Sequence, residues 1–409
     1  MRIGLILPSL DDSGVARAAA SLSSLLSEHH EVHVITVYRH EPLQEWSGSF
    51  HVLDVPPASP GDGLPRRLGL FIRRILALRR IKAELELDVS VSFSEALSIQ
   101  NIFTAGSDRP VVSHHTVLSR NENLDDIYGR GVKALVRLTY PRAAGIICVS
   151  MESATDLTDA YGIDPRQVAV IPNHIDVDAI EGAAVLPARW NDVFTAPVIL
   201  TAGRLTHAKG QWYLIRVFAR LKELIPDLKL VIMGDGDLRE YLQGLSEDLG
   251  LKTFTGGEPG EYDVYFAGFQ RNPYGFMAHS DLFVLPSLRE ALPLALMEAM
   301  ALGTPVAAAD CGGPREILAP SSDPSFKTEK TEFADYGVLL PPFDGEMRAA
   351  DDELCREERL WVDTLHEIIT DRKVLDSYSE RARERALQFS PDAIRRRWLD
   401  FLDAVVDQG

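Results

Sequence analysis

The sequence predicts an α/β protein made of two Rossmann-like, doubly wound units in series. Three observations predict it. Short apolar runs alternate with longer amphipathic segments through the first half, as parallel strands joined by crossover helices require. A stretch without hydrophobic period, residues 181–196, interrupts the alternation, which restarts at Pro197. Glycines stand in the turns that follow several of the apolar runs, at Gly14, Gly203 and Gly234, where a chain must turn from strand to helix. The expected division is 1–185, 186–388 and a closing helix over 389–409 that returns to the first unit. Two such units facing each other across a linker leave a cleft, a common seat for a ligand.

In the first series the expected strands are Ile3–Leu7, Val32–Val37, His51–Val55, Val89–Phe93, Val111–Ser113, Gly145–Val149 and Val168–Ile171. Ser13-Gly14 opens a helix from Val15 to Leu26, with Arg17 on its first turn. No full G-x-G-x-x-G is present, so a dinucleotide fingerprint is absent. Residues 65–87 form a basic amphipathic segment. Arg66, Arg67, Arg73, Arg74, Arg79, Arg80 and Lys82 are interleaved with Leu68, Phe71, Ile72, Ile75, Leu76 and Leu78. Its apolar side is expected to pack on the sheet, and its arginines leave a peripheral membrane contact open. His114 and His115 follow the strand Val111–Ser113, at the carboxyl end where open sheets bind ligands. No third ligand stands at metal spacing beside them, so the pair reads as a catalytic or substrate-binding imidazole, or else as loop histidines, rather than as metal ligands.

The second series begins with strand Val198–Ala202, the turn Gly203–Gly210 and a helix to Leu224. Strand Leu228–Met233 runs into Gly234-Asp235-Gly236-Asp237, read as a structural turn rather than a metal-binding D-x-D. Residues 252–263 read as a surface insertion before strand Val264–Ala267. Strand Leu282–Leu285 is closed by Pro286; Pro293 suits the first helical position of Leu294–Leu302; Gly303 ends that helix before strand Thr304–Ala308. A polar excursion at 320–334 precedes a last strand, Tyr336–Leu340. Helix follows from Asp351 to about Leu387, and Ser390-Pro391 starts the closing segment.

Composition narrows the function. The 409 residues carry 42 basic against 60 acidic side chains, a net charge of −18, which argues against nucleic acid as a partner. Cys148, Cys311 and Cys355 have no paired spacing; they fit neither a disulfide framework nor zinc, and they suit a reducing cytoplasm. The apolar core of the N-terminus is too short for a secretory signal, and no run spans a bilayer. The chemistry gathers in Asp281–Ile317. Glu290 lies just before a helix whose first N–H groups and dipole suit a phosphate, and Glu298 lies on that helix. Two acids beside an anion seat read as hydroxyl acceptors for sugar and ribose. Arg204 and Lys209, at the end of the unit's first strand, supply the fork and the point charge that grip phosphate oxygens.

Taken together, GRLTHAKG, GDGDLRE, EALPLALMEAMALGTPV and DCGGPREIL resemble the nucleotide-sugar-binding half of the family 4 retaining glycosyltransferases, which have the GT-B fold. The first half, through Ser13-Gly14…Arg17, SHHT and IPNHID, resembles the same family. FQRNPYGFMAHSDLFVLPS and VVSHHT look closest to the branch that builds bacterial surface polysaccharides and lipid-linked oligosaccharides. The resemblance implies a UDP-sugar donor, a glycan or lipid-linked acceptor, and no cofactor or metal; with the cysteine usage and the Arg66–Lys82 segment, the expectation is a cytoplasmic enzyme with a peripheral contact at the inner face of the membrane left open. It implies that Arg204 and Lys209 hold the diphosphate with the amides near Leu292 and Leu294 and the Gly14 loop. Glu298 would bind the ribose, Glu290 the transferred sugar, and His115 the same sugar from the first unit; Phe269 and Asn272 would receive the base. The chain departs from the family at Ala291, where glycine is common, at the first-unit loop, and in 252–263. The competing readings are a UDP-sugar epimerase on the same architecture and a non-catalytic sugar-nucleotide-binding protein. An NAD-dependent oxidoreductase lacks its glycine fingerprint.

Overall fold

The structure is a computed structural model that describes residues 1–11, 13–38, 45–56, 62–120 and 127–407. The chain divides into two compact units, Met1–His174 with Pro391–Gly409, and Ile175–Ser390.

The first unit carries seven parallel strands: β1 Arg2–Leu7, β2 Glu31–Thr36, β3 Ser49–Val52, β4 Val89–Ser92, β5 Arg109–His114, β6 Gly145–Cys148 and β7 Val168–Val170. Their order is β3-β2-β1-β4-β5-β6-β7. The connecting helices are α1 Gly14–Ser27, α2 Leu64–Glu84, α3 Glu95–Phe103, α4 Ile127–Thr139 and α5 Met151–Thr155. The central strands are buried on both faces, which is why they read as unbroken apolar runs. Strand order reverses beside β1, so the turn after β1 that holds Gly14 sits at the topological switch point. Ser13 caps α1, its hydroxyl accepting the Ala16 N–H at 3.2 Å.

The second unit opens with a short helix, α6 Val177–Gly182. Its elements then run β8 Val198–Ala202, α7 Gln211–Leu224, β9 Lys229–Met233, α8 Arg239–Asp248, β10 Thr253–Phe254, β11 Val264–Gly268, α9 Tyr274–Ala278, β12 Leu282–Leu285, α10 Leu294–Ala301, β13 Val306–Ala309, α11 Gly313–Leu318, β14 Glu332–Phe333 and β15 Val338–Leu340. The helices α12 Arg356–Thr370 and α13 Arg372–Leu387 complete it, and α14 Pro391–Asp407 belongs to the first unit. The sheet order is β10-β11-β9-β8-β12-β13-β15-β14, parallel except at the β14–β15 edge. Its switch point lies between β8 and β12.

Several expectations shift. The unit boundary stands at 174/175 rather than near 185, because residues 181–196 pack rather than link. Trp190 and Val193 are buried with Ile175, Ile180, Phe254, Tyr265 and Phe276. The 252–263 insertion begins with an edge strand, β10, whose Phe254 fills the same cluster. The polar excursion yields the antiparallel β14, and the tail helix breaks at Asp371, whose carboxylate caps α13. Pro293 is not the first helical residue: it occupies the extended N-cap position of α10. On α14, Ile394, Trp398, Leu402 and Val405 join the core of β1, β2 and β4. No helix among the described residues is long and apolar enough to cross a membrane.

Candidate active site

In the second unit the turns after β8, β9, β12 and β13 are laced together by backbone contacts that only glycine allows. Gly210 has φ 61°, and a Cβ there would lie 2.4 Å from the Pro286 carbonyl oxygen. A Cβ on Gly234 would lie 2.0 Å from the Gly203 oxygen, and one on Gly313 2.1 Å from the Ala291 oxygen. The Leu288 N–H donates to the Ala208 carbonyl at 2.9 Å, and the Gly313 N–H to the Glu290 carbonyl at 2.8 Å. Asp235 and Gly236 belong to this lacing: the Asp235 carbonyl accepts the Leu205 N–H at 2.9 Å. The glycines therefore set how closely the β8 turn approaches the β12 turn.

That approach brings Lys209 to Glu290. Lys209 Nζ lies 2.5 Å from Glu290 Oε1, and both side chains are largely covered, at 24% and 10% exposed. Ser287, fully buried, donates its hydroxyl to the same oxygen at 2.7 Å. One carboxylate oxygen thus receives a cation and a hydroxyl, which fixes its rotamer at the entrance to α10. Leu292 and Leu294 flank Pro293 there, no side chain caps the helix, and its first turn of N–H groups has no intrahelical acceptor. Glu298, on the next turn, is buried at 3% exposure. Arg204 keeps its backbone in the turn, its carbonyl accepting from Gln211 Nε2 at 3.1 Å, while its guanidinium is exposed. The structure joins Lys209 to Glu290 and shows no ion pair from Arg204 to that carboxylate among the described residues.

The remaining predicted residues are scattered. Asn272 is engaged locally: its Nδ2 donates to the Ala183 carbonyl at 2.7 Å, and its Oδ1 accepts the Tyr274 N–H at 3.1 Å. Phe269 is 47% exposed beside it. In the first unit, a Cβ on Gly14 would meet nothing within 4 Å, so the space over that turn is open. His114 ends β5 and is buried edge-on to Tyr140, whereas His115 emerges beside Phe93, its Nε2 3.0 Å from Ser113 Oγ. Burial, then the neighbouring His114, pushes the His115 imidazole down to about 3, so the ring is neutral near pH 7.

Two features escaped the sequence reading. Ser287 sits in a proline-flanked turn with no pattern to mark it. The Gly312–Gly313 pair was visible in DCGGPRE, but its contact with Glu290 is a tertiary one. Beneath it, Arg315 is held by Asp310 at 2.7 Å and Glu332 at 2.6 Å, with the Arg315 and Asp310 side chains almost wholly buried. This ties the β13 turn to β14. Among the described residues, no three His, Cys, Asp or Glu side chains gather as metal ligands.

The comparisons identify the family. Residues 13–179 match the family described as Glycosyltransferase Family 4, and residues 188–331 match Glycosyl transferases group 1. An uncharacterized glycosyltransferase of Methanocaldococcus jannaschii is 31% identical over 329 residues, 78% of each chain. A Campylobacter jejuni N-acetylgalactosamine-N,N'-diacetylbacillosaminyl-diphospho-undecaprenol 4-alpha-N-acetylgalactosaminyltransferase is 26% identical over 408 residues, covering 98% of this chain and 99% of that one. The crystal structure of Anabaena HepE with UDP-glucose matches with a TM-score of 0.72 at 19% identity, over 99% of this chain and 100% of that one. The chain belongs to glycosyltransferase family 4, has the GT-B fold, and falls in the branch of enzymes of bacterial surface polysaccharides and lipid-linked oligosaccharides.

Proposed function

We propose that this glycosyltransferase moves a hexose or N-acetylhexosamine from a UDP-sugar to a lipid-linked or polysaccharide acceptor, with retention at the anomeric carbon and without a metal ion. The observation that carries the reading is the Lys209–Glu290–Ser287 cluster at the open end of α10, one turn from buried Glu298. A cation held beside a carboxylate, next to free helix N–H groups, suits a diphosphate joined to a polyhydroxyl sugar. The UDP-bound solved structure and the undecaprenol-linked Campylobacter relative support the donor and acceptor classes.

In this reading the diphosphate lies on the α10 amides near Leu292 and Leu294, between Lys209 and Arg204. Glu298 accepts hydrogen bonds from the ribose hydroxyls, and Phe269 offers an exposed ring for the base. Asn272, occupied by Ala183, supports the base loop through its own turn. Glu290 accepts from hydroxyls of the transferred sugar. As the C1–O bond to the diphosphate breaks, charge grows on the phosphate oxygens. Lys209, Arg204 and the helix dipole stabilise that charge, while the Glu290 carboxylate faces the cationic ring carbon. The acceptor oxygen bonds to C1 on the same face, and its proton passes to the departing phosphate.

The test is turnover of UDP-, GDP- and ADP-sugars with lipid-linked acceptors, with the product anomer read by NMR and the assay repeated in EDTA. The reading expects one UDP-sugar to be used, an α-linked product from an α-linked donor, and an unchanged rate in EDTA. Release of an epimerised UDP-sugar with no acceptor product would replace it with the epimerase reading. No turnover and no nucleotide binding would leave the non-catalytic one.

A further inference from the structure

We propose that His207 is a positioning residue for Lys209: hooked to the loop over residues 343–348, it fixes the turn from which Lys209 reaches the donor diphosphate. This role rests on the nucleotide-sugar donor proposed above, and it adds to the site a residue that contacts no substrate in that mode.

A lysine ammonium rides on a flexible four-carbon stem, so it grips a ligand well only if its backbone is fixed. The turn that carries Lys209 is too short to fix itself. It is a single 3₁₀ turn, His207–Lys209, ended by Gly210 at φ 61°. Its three residues are instead tied in three directions. Lys209 Nζ reaches Glu290 at 2.5 Å, and the Ala208 carbonyl accepts the Leu288 N–H at 2.9 Å. His207 Nε2 donates to the Gly345 carbonyl at 2.9 Å. A carbonyl only accepts, so this contact places a ring proton on Nε2. The first two ties lead to the β12 turn; the third leads to the loop that follows β15.

That loop is itself anchored from the first turn of α7. Tyr213 stacks on Phe343 with ring centroids 4.1 Å apart, and its hydroxyl donates to Asp344 Oδ1 at 2.5 Å. Arg348 clamps the same carboxylate at 2.5 Å. Its guanidinium holds the Asp344 carboxyl well below the usual carboxylate range, so the anchor stays charged at neutral pH. Trp212, fully buried, donates its indole N–H to the Glu346 carbonyl at 3.1 Å, and its ring lies 5.0 Å from that of His207. Gly345 has φ 90°, and a Cβ there would lie 3.4 Å from Leu288 and 3.6 Å from His207. The hold therefore runs from α7 through Asp344 to Gly345, and from Gly345 through His207 to the backbone of Lys209.

The test is a double-mutant cycle read by calorimetric titration of UDP, with melting curves beside it. His207→Phe keeps a ring against Trp212 and removes the donor; His207→Gln restores an N–H of similar reach. Loss of one neutral hydrogen bond sets the scale, so His207→Phe should weaken UDP binding roughly three- to tenfold. His207→Gln should stay within about twofold of the parent. In a Lys209→Ala background, His207→Phe should change the UDP dissociation constant by less than about twofold, because the residue it positions is gone. Tyr213→Phe cuts the bond to Asp344 from the far end of the loop and should show the same dependence on Lys209. A merely structural role would instead give equal losses with and without Lys209, and that result would overturn the proposal. So would parent-like UDP affinity in both His207→Phe and Tyr213→Phe, or a loss in His207→Gln as large as in His207→Phe. No UDP binding by the parent would fail the nucleotide-sugar reading itself, and this role of His207 with it.

Discussion

Ser287→Ala is the sharpest probe of how Glu290 is held. Ser287 is fully buried and donates to Glu290 Oε1 at 2.7 Å. Alanine fits the same space, so only the hydroxyl is lost. A hydrogen bond to a charged group contributes about 1.5–3 kcal/mol. Lys209 engages the same oxygen at 2.5 Å and continues to do so, which places the loss near the lower bound. About 1.5 kcal/mol corresponds to roughly a tenfold fall in kcat. Because Ser287 contacts no nucleotide in the proposed mode, the UDP dissociation constant should stay within about twofold. Steady-state transfer kinetics with the accepted donor, beside a calorimetric UDP titration, separate the two effects. Equal losses in kcat and UDP affinity, or full activity, would refute the assignment of Ser287 as a positioning residue for Glu290.

Arg204→Ala removes an exposed guanidinium from the proposed diphosphate seat and should lower both UDP affinity and turnover by roughly ten- to a hundredfold; unchanged kinetics would remove Arg204 from the site. Gly313→Ala puts a Cβ 2.1 Å from the Ala291 oxygen and forces the β12 and β13 turns apart. It should cost about 2 kcal/mol of stability by denaturant melts, together with lost activity. The pH response follows from His115 and His114, both shifted below the ordinary histidine value, chiefly by burial. The unfolded chain takes up these protons as pH falls below about 6.5. The native state resists until far lower, about 3 for His115. Their contribution to stability is therefore complete above pH 6.5 and is lost as pH falls toward 3. His115→Asn should flatten part of that slope in melts across this range.

Much of the fold could be read from the chain because parallel strands buried on both faces leave unmistakable apolar runs. Val198–Ala202 and Leu282–Leu285 stand where their residues placed them. What could not be read was short or tertiary. β10 is two residues long, and its signal is one phenylalanine inside a glycine- and acid-rich stretch. Residues 181–196 lack a period because three turns of 3₁₀ and α structure, not one element, wrap Trp190 into the core. On α2 the arginines and leucines were plain, but which leucines face the sheet depends on the helix's rotation, fixed by Leu70 and Leu78. At the site, Lys209 and Glu290 were singled out for their chemistry. Their direct pairing depends on turns that Gly210 and Gly313 let close, which no spacing reveals.

The central claim is that the α10 end of the second unit holds a nucleotide sugar, with Glu298 on its ribose. Calorimetric titration of UDP into the parent and Glu298→Gln tests it most directly. Glutamine keeps the buried shape and removes the charge, exchanging charge-assisted hydrogen bonds for neutral ones about half as strong. The parent should bind UDP in preference to GDP and ADP, and the variant should bind UDP roughly tenfold more weakly with an unaltered melting temperature. Equal UDP affinity in the two proteins would contradict the account.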